Sequence, residues 1–478
     1  MGSELFDKIK KGLDSGKSPD MLKSELVDQG FIEDEVLDII HEINGVERSA
    51  EDKRNVKIFT FKEVFDRVGY GFASVQFINI LFSITGAGFF LIGLMNGLKN
   101  ILSLLLSSFL QEYARVKPVS TKFMSKAGVL FGLSFLFIAM AVSIRSVPLF
   151  SVALLVGAVG VITYGDLYER LAEVHLKKEK LSRFLLNISH FGVIITGLAF
   201  LLSGILFDRF PMISATKVNF FGNMVPLYGY LICFEITAIA FILSGYVLHF
   251  VNEKVQKSGD SRGFARSYWV KVSGQLKLLF RSKHLTLLLI AGALTSLVQI
   301  LGNSYYGIFI YKKFIAKTFQ GLIPGMIFLN IAIIFLFALL VSFMGPALAK
   351  YLNKKVGLAP SLVFGTLLIA IMPLVCVYNP SFLPITVANA LGVLGAAILG
   401  MGQGLLVRKL VHEIERPLYY AASSVGVVIP FAILIPLGAW IAQAFGLAVL
   451  FQLLALVSLG LAAPLFFILV IFANKQRL

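Results

Sequence analysis

The chain is poor in cysteine and in charge. Its two cysteines, Cys233 and Cys376, occur in 478 residues and both fall inside long apolar runs, so they read as packing residues rather than a disulfide pair. Charged residues make up 15% of the sequence against 57% hydrophobic ones, and the mean hydropathy is +0.83. That balance lies outside the range of soluble globular proteins. A phosphate loop ending in Gly-Lys-Ser/Thr is missing, which argues against ATP-driven work by this chain alone. His412-Glu413 has no second histidine four residues on, so a zinc-peptidase site is not expected. No apolar run contains aspartate, which removes paired-aspartate proteolysis within a membrane. Neither a catalytic constellation nor a resident cofactor or metal is implied. The first 67 residues are polar, without the apolar core and cleavage site of a signal peptide, so the first apolar run is expected to be an uncleaved anchor.

What the chain does have is twelve long apolar runs, at about 68–85, 88–110, 127–144, 148–165, 186–206, 226–250, 285–309, 322–345, 359–378, 383–406, 419–442 and 446–472. Each is close to the roughly 20 residues that cross a bilayer as a helix. The loops after even-numbered runs, with the C-terminal tail, hold 25 Lys and Arg, whereas those after odd-numbered runs hold only Arg145, Arg209, Lys217, Lys312, Lys313 and Lys317. This asymmetry follows the positive-inside rule and predicts a multi-pass plasma-membrane protein with both termini cytoplasmic. The net charge of +16 sits in those loops, where anionic lipid headgroups are the natural partner and nucleic acid is not.

Residues 1–45 differ, with 11 acidic and five basic side chains. Three short helices are readable there, the second opened by Ser18 and Pro19 and closed near Gly30. Apolar residues from Leu5 to Ile40 recur at helical spacing, which predicts a small helical cytoplasmic module. It is either an interaction domain with a cytoplasmic protein partner or a solvated tail. Residues 46–62, charged and without apolar periodicity, read as a linker.

Within the twelve runs there are two formal charges, Lys99 in the second and Glu235 in the sixth. An ionisable group in hydrocarbon costs a few kcal/mol or more and normally faces the interior, a partner or water. Counted inward at 1.5 Å per residue, the two lie at depths of roughly 16 and 13 Å. Three readings stay open: Lys99 binds an anionic solute, Glu235 carries a proton, or the two form a structural pair. Lys99 shares a helical face with Asn96, Asn100, Ser103 and Ser107. In the seventh run Thr295, Gln299, Asn303 and Tyr306 align, with Tyr305 adjacent, and in the first run Gln76, Asn79 and Ser83 do so. Gly400-Met-Gly402-Gln-Gly404 at the end of the tenth run reads as a helix-packing surface.

The runs form two halves, 63–250 and 285–478, around a basic loop at 251–284. Two stretches repeat between the halves: Ser107-Ser-Phe-Leu-Gln111-Glu-Tyr-Ala-Arg115-Val-Lys117 aligns with Gly345-Pro-Ala-Leu-Ala349-Lys350-Tyr-Leu-Asn353-Lys354-Lys355, and Phe191-Gly-Val-Ile-Ile with Val425-Gly-Val-Val-Ile. The basic turns after runs 2 and 8 resemble the Gly-x-x-x-Asp-Arg-x-Gly-Arg-Arg signature of the major facilitator superfamily, with Ala349 in place of the aspartate and Lys350 in place of the arginine. Ile435-Pro-Leu-Gly438 leading to Gly446 is similar to that superfamily's gating-helix pattern.

The resemblance implies an all-α membrane protein of twelve transmembrane helices in two pseudo-symmetric six-helix bundles, plus the N-terminal module. It implies gating turns at Gln111, Arg115, Gly345, Lys350 and Lys354. Helices 1, 4, 7 and 10 would surround the substrate, adding Tyr164 and Asn389 to Gln76, Asn79, Asn96, Lys99, Asn100, Gln299, Asn303 and Tyr306. The face from Gln299 to Tyr306 is similar to that of sugar porters, but its spacing after Gly302 is compressed and the charged loop motifs of that subfamily are absent. The implied activity is secondary transport of a small polar or amphipathic solute by alternating access, with proton coupling through Glu235 open. A transporter-derived sensor signalling through residues 1–45 and a lipid flippase are the alternatives.

Overall fold

A computed structural model describes residues 2–28, 31, 33–117, 119–176, 178–211, 216–220, 223–251 and 263–475. The N-terminal module begins with α1 (Gly2–Asp14) and α2 (Pro19–Asp28). The Ser18 hydroxyl accepts from the Met21 amide at 3.2 Å, capping α2 as its sequence predicts. Leu5, Ile9, Leu26, Val36 and Ile40 meet in a core of their own. The expected linker at 46–62 is not a linker: α3 runs unbroken from Glu33 to Phe72. The third helix of the module is therefore the beginning of the first membrane helix, which breaks at Ala73–Ser74 and resumes as α4 (Val75–Ile84) under a Ser74 cap. Helical phase continues through 46–62 although apolar periodicity lapses there, because its polar residues favour a helix well enough when both ends are anchored.

The first bundle continues with α5 (Phe89–Val116), α6 (Thr121–Ser143), α7 (Val147–His175) and α8 (Lys178–Arg209). A hairpin of β1 (Thr216–Phe220) and β2 (Asn223–Leu227), antiparallel with Val218 opposite Val225, then leads to α9 (Gly229–Val247). This hairpin was not expected and is the one departure from an all-α architecture among the described residues.

Of the expected loop 251–284, residues 252–262 lie outside the described residues, and most of the remainder is the amphipathic helix α10 (Phe264–Arg281). It bridges the halves: Tyr268 hydrogen-bonds Ser108 of α5 at 3.1 Å, while Val272 joins Tyr268 in a cluster with Ala421 and Ala422.

The second bundle comprises α11 (Lys283–Ile315), α12 (Ile327–Ser342), α13 (Met344–Lys355), α14 (Leu358–Tyr378), α15 (Phe382–Leu410), α16 (Arg416–Phe445), α17 (Leu447–Leu456) and α18 (Ala463–Lys475). A π-helical turn, Val457–Ala462, joins the last two. Among the described residues ten helices are each long and apolar enough to cross a membrane, and α12 with α13, bent by 45° at their junction, make up to eleven. The expected first crossing is the divided α3–α4 pair, neither part of which meets that measure alone. The helices α5 to α9 and α11 to α18 correspond in order to the remaining predicted runs.

Small residues set how closely these helices approach. At Gly365 on α14 and Gly395 on α15, an added Cβ would meet the other glycine's carbonyl oxygen at 3.0 and 2.5 Å. Neither backbone can yield without unpacking the pair. We expect Gly395→Val to destabilise the protein by roughly 1–3 kcal/mol, the usual penalty of overpacking, seen as a lowered melting temperature in detergent. Gly400→Ala, which meets nothing within 4 Å, should leave the melting temperature unchanged.

Candidate functional site

The end of the helices where α5 finishes against α10, which leads into α11, is the one where the sequence pattern puts both termini; it is here called the termini side, and the other end is the far side. Between the bundles, in the termini-side half, lies an open cavity of about 770 Å³. Asn79 of α4, Asn96, Lys99, Asn100 and Ser103 of α5, and Gln299 and Asn303 of α11 line it. The structure thus brings together six of the ten predicted substrate residues. The helical spacing that aligned them holds because α5 and α11 are unbroken through this region.

The amides are not equivalent. Asn96 donates from Nδ2 to Asn79 Oδ1 at 3.0 Å, Asn100 donates to the Asn96 carbonyl at 2.7 Å, and Asn79 donates to the Asn303 carbonyl at 3.4 Å. These side chains hold each other and tie α4 to α5 and α11. Lys99 is the one formally charged residue in the lining, and no hydrogen bond or ion pair reaches it among the described residues. An ammonium with donors to spare and amides beside it have the chemistry to receive an anion carrying hydrogen-bonding groups.

Sequence reasoning missed part of the wall. Gly400, Gln403 and Gly404 of α15 and Tyr419, Tyr420, Ser423 and Ser424 of α16 also line the cavity. The glycine-rich turn is therefore only partly the packing surface expected of it: Gly402 faces Leu362 of α14, while its neighbours open onto the cavity. A Gln set among small residues was the available signal.

Four predicted site residues lie elsewhere. Tyr164 is buried in the first bundle, its hydroxyl 2.6 Å from Ser244. Asn389 is buried against α12 and donates to the Ile334 carbonyl at 3.4 Å. Tyr306 turns away from the cavity to pack on Phe451 of α17. Gln76, although buried between bundles, accepts from the Gly307 amide at 3.1 Å on the far side of the cavity. Tyr164, Asn389 and Gln76 each satisfy a polar group by helix–helix bonding, which hydrocarbon surroundings demand as strongly as a wet cavity does. Glu235 is exposed on α9 and does not line the cavity, and no ion pair joins it to Lys99 among the described residues. Among the gating residues, Gln111, Lys350 and Lys354 are exposed, Gly345 is buried against Ala397 of α15, and the side chain of Arg115 lies outside the described residues. Ala349, at the signature's acidic position, is fully buried with Leu368 and Ile398.

The far side is closed by polar contacts across the seam. Tyr305 donates to the Phe89 carbonyl at 2.8 Å, the Phe90 amide donates to Gln443 at 3.3 Å, and Lys312 lies 4.2 Å over the Phe89 ring. At a second crossing Asp208, ending α8, caps α12: its Oδ1 accepts from the Ile327 and Phe328 amides at 3.0 Å each and its Oδ2 from Leu329 at 2.8 Å. A carboxylate on a helix N-terminus is charge-assisted on both counts. Asp208 lay just beyond the fifth apolar run, and its partner being backbone left no sequence signal.

A second ionic group was missed because it precedes the first apolar run. Lys62, Glu63 and Asp66 of α3 are buried, with Lys62 Nζ 2.6 Å from Asp66 and 3.3 Å from Glu63, and Arg67 3.5 Å from Glu63. Ser244 of α9 donates to Asp66 at 2.5 Å, and the Lys62 ammonium lies 3.2 Å from the centre of the Tyr168 ring of α7. Two positive and two negative charges neutralise each other here, pinning α3 to α7 and α9.

No family model and no curated protein sequence matches the chain. Solved structures do. The nucleoside transporter NupG aligns over 86% of this chain and 98% of its own with a TM-score of 0.64 at 12% identity. A bacterial homologue of the iron transporter ferroportin, in an inward-facing state, aligns over 87% and 98% with a TM-score of 0.61 at 16% identity. A POT family transporter in complex with a thioalcohol-conjugated peptide aligns over 88% and 96% with a TM-score of 0.59 at 15% identity. All three have the same membrane transporter architecture, so this chain has the fold of the major facilitator superfamily, in a sequence widely diverged from theirs.

Proposed function

We propose that this protein is a secondary transporter that moves a small polar organic solute bearing an anionic group across the plasma membrane, with both termini in the cytoplasm. The observation that carries this reading is the cavity itself: lined by an ammonium, amides and hydroxyls among apolar walls, placed between two bundles in their termini-side half, open on one side and closed by a polar seam on the other. That asymmetry is one end state of an alternating-access cycle, in which the bundles rock about a central site. Lys99 supports the anionic preference, since it meets no counter-charge in the cavity wall. The amides and hydroxyls around it suit a solute rich in oxygen. A flippase would present an apolar cavity open sideways to the bilayer, whereas this one sets an ammonium, amides and hydroxyls among its apolar walls.

The unbroken α3 favours a second reading alongside transport: a partner bound to residues 1–45 would be mechanically joined to the first membrane helix. Removal of residues 2–28 separates the two, because it should spare solute movement if the module only regulates and abolish function if the protein is a sensor.

A thermal-shift screen of the purified protein against small hydroxylated carboxylates, sugars and amines tests the principal reading. A ligand at 100 times its Kd stabilises by about 2.7 kcal/mol, so a carboxylate hit should raise the melting temperature by a few degrees, and Lys99→Ala should erase that shift without lowering the unliganded melting temperature. Hits confined to sugars or amines, unaffected by Lys99→Ala, would overturn the anionic assignment. Uptake of the labelled hit into proteoliposomes then distinguishes a carrier from a binding protein.

Alternating access makes a second expectation. Losing the Asp208 charge weakens this cap by about 0.3–2 kcal/mol, a roughly two- to thirty-fold change in a two-state ratio. Spin labels at Arg145 and Tyr378, exposed on the far side of opposite bundles, should report one short distance in the native protein by pulsed dipolar spectroscopy. Asp208→Asn should add a longer component; an unchanged distribution would show that Asp208 does not hold the seam.

A further inference from the structure

Given the transporter reading, the surroundings of Lys99 bear on what drives the cycle. The cavity wall is built from α4, α5, α11, α15 and α16. The ionisable groups it contributes besides Lys99 are the phenols of Tyr419 and Tyr420 on α16; α4, α11 and α15 contribute none to the lining. From α7, which packs along α5, the nearest acidic group is Asp166, bonded to Ser107, about 12 Å further along the helix than Lys99. On α5 itself Glu112 lies further still. Glu235 is exposed on α9 and does not line the cavity, and Lys62, Glu63, Asp66 and Arg67 form their own neutral group. Among the described residues, therefore, no protein carboxylate faces Lys99 in this open cavity, and its charge would be left to water.

That is stable while the cavity is open. When the termini-side mouth closes over an empty cavity the water leaves, and an unpaired ammonium in a low-dielectric enclosure costs several kcal/mol. Two routes relieve that cost: an anion accompanies the ammonium, or the proton is released and a neutral amine is enclosed.

We infer that Lys99 is the coupling site, and that one proton and one monoanionic solute cross together as a Lys99 ammonium–anion pair. On the side of higher proton activity the amine takes a proton from water and the anion docks on the resulting ammonium. The neutral pair is enclosed, the bundles rock, and on the opposite side the anion leaves and the ammonium returns its proton to water. The empty carrier goes back as the amine. Each crossing encloses no net charge, and each cycle moves one proton with one anion. A carboxylate in the cavity is unnecessary for such coupling, consistent with the absence of one from its lining.

The test needs no knowledge of the solute. A proton held better by the open state than by the closed state populates the open state as pH falls. Full-length protein in nanodiscs, free of added ligand, would carry spin labels at Lys122 and Tyr351, exposed on the termini side of opposite bundles, or at the far-side pair Arg145 and Tyr378. Distances would be read from pH 5.5 to 9, below the range in which free phenols ionise.

The native protein should shift from termini-side open at low pH to closed at high pH, its population ratio changing by up to tenfold per pH unit between plateaus. Lys99→Met should show the high-pH pattern throughout, and Lys99→Arg the low-pH pattern throughout. A pH response that survives Lys99→Met, or a flat native response while Asp208→Asn still redistributes the distances, would overturn the coupling role and leave alternating access standing. Distances that stay fixed in all variants at all pH values would overturn both.

Discussion

Hydrocarbon cannot solvate an amide, a hydroxyl or an ammonium, and the placement of polar side chains in this molecule follows from how each one meets that constraint. Many bond to a neighbouring helix, as Ser458 does to the Thr366 carbonyl at 3.1 Å or Asn389 to α12. A few charges are gathered into a neutral group, as on α3. What remains faces water in the cavity, and Lys99 is the extreme case because it has neither a helix partner nor an opposite charge. On the proposed reading, the same constraint that makes the other polar residues structural gives this one its role, because its solvation would change with the state of the cavity.

The seam between the bundles applies this at larger scale. On the far side it is dry enough for backbone groups to be used as partners: the Phe89 carbonyl, the Gly307 amide and the three amides opening α12 all bond across it. Such contacts are specific to one register of the bundles, and breaking them exposes groups that water can satisfy only if the far side opens fully. On the termini side the corresponding faces diverge around the cavity, and α10 straddles them through Tyr268 and Val272. Its outer face presents Trp269, Val270 and Phe280 beside basic residues, a composition suited to the headgroup region. A helix anchored there and touching both bundles limits how far the mouth can spread.

Most of the helical framework was legible because length and apolarity report directly on membrane crossing, and charge bias reports on which ends share a side. The Asn96–Lys99–Asn100 face and the Gln299–Asn303 face were legible for a related reason: unbroken helices preserve their spacing. Tyr164, Tyr306 and Asn389 were misplaced because a polar residue in an apolar helix signals that it needs a partner without saying whether that partner is water or another helix. Glu235 shows the same ambiguity at the outer surface, where its depth could be estimated but its direction could not. The linker reading of 46–62 failed because loss of apolar periodicity marks loss of a buried face and not loss of the helix. Asp208 was invisible because its partners are backbone amides 119 to 121 residues away, which no side-chain pattern records.

The two halves share a topology but not a mechanical character. In the first, the α3 ionic group, the Tyr164–Ser244 bond and the stacked rings of Phe82 and Phe150, 4.4 Å apart, tie its helices together at several depths. The first half has its break at Ala73–Ser74, between α3 and α4, and the second carries more irregularities: Pro373 inside α14, Pro430 and Pro436 inside α16, the bend between α12 and α13, and the π turn before α18. Prolines and π turns leave backbone groups free of helical bonding and are where helices bend most readily. Two of these features lie on elements that form the seam or cavity, α12 at the Asp208 cap and α16 along the cavity wall. In the proposed cycle, rocking would be best accommodated by bending within the second bundle, against a first bundle that carries Lys99 on a helix with no such break.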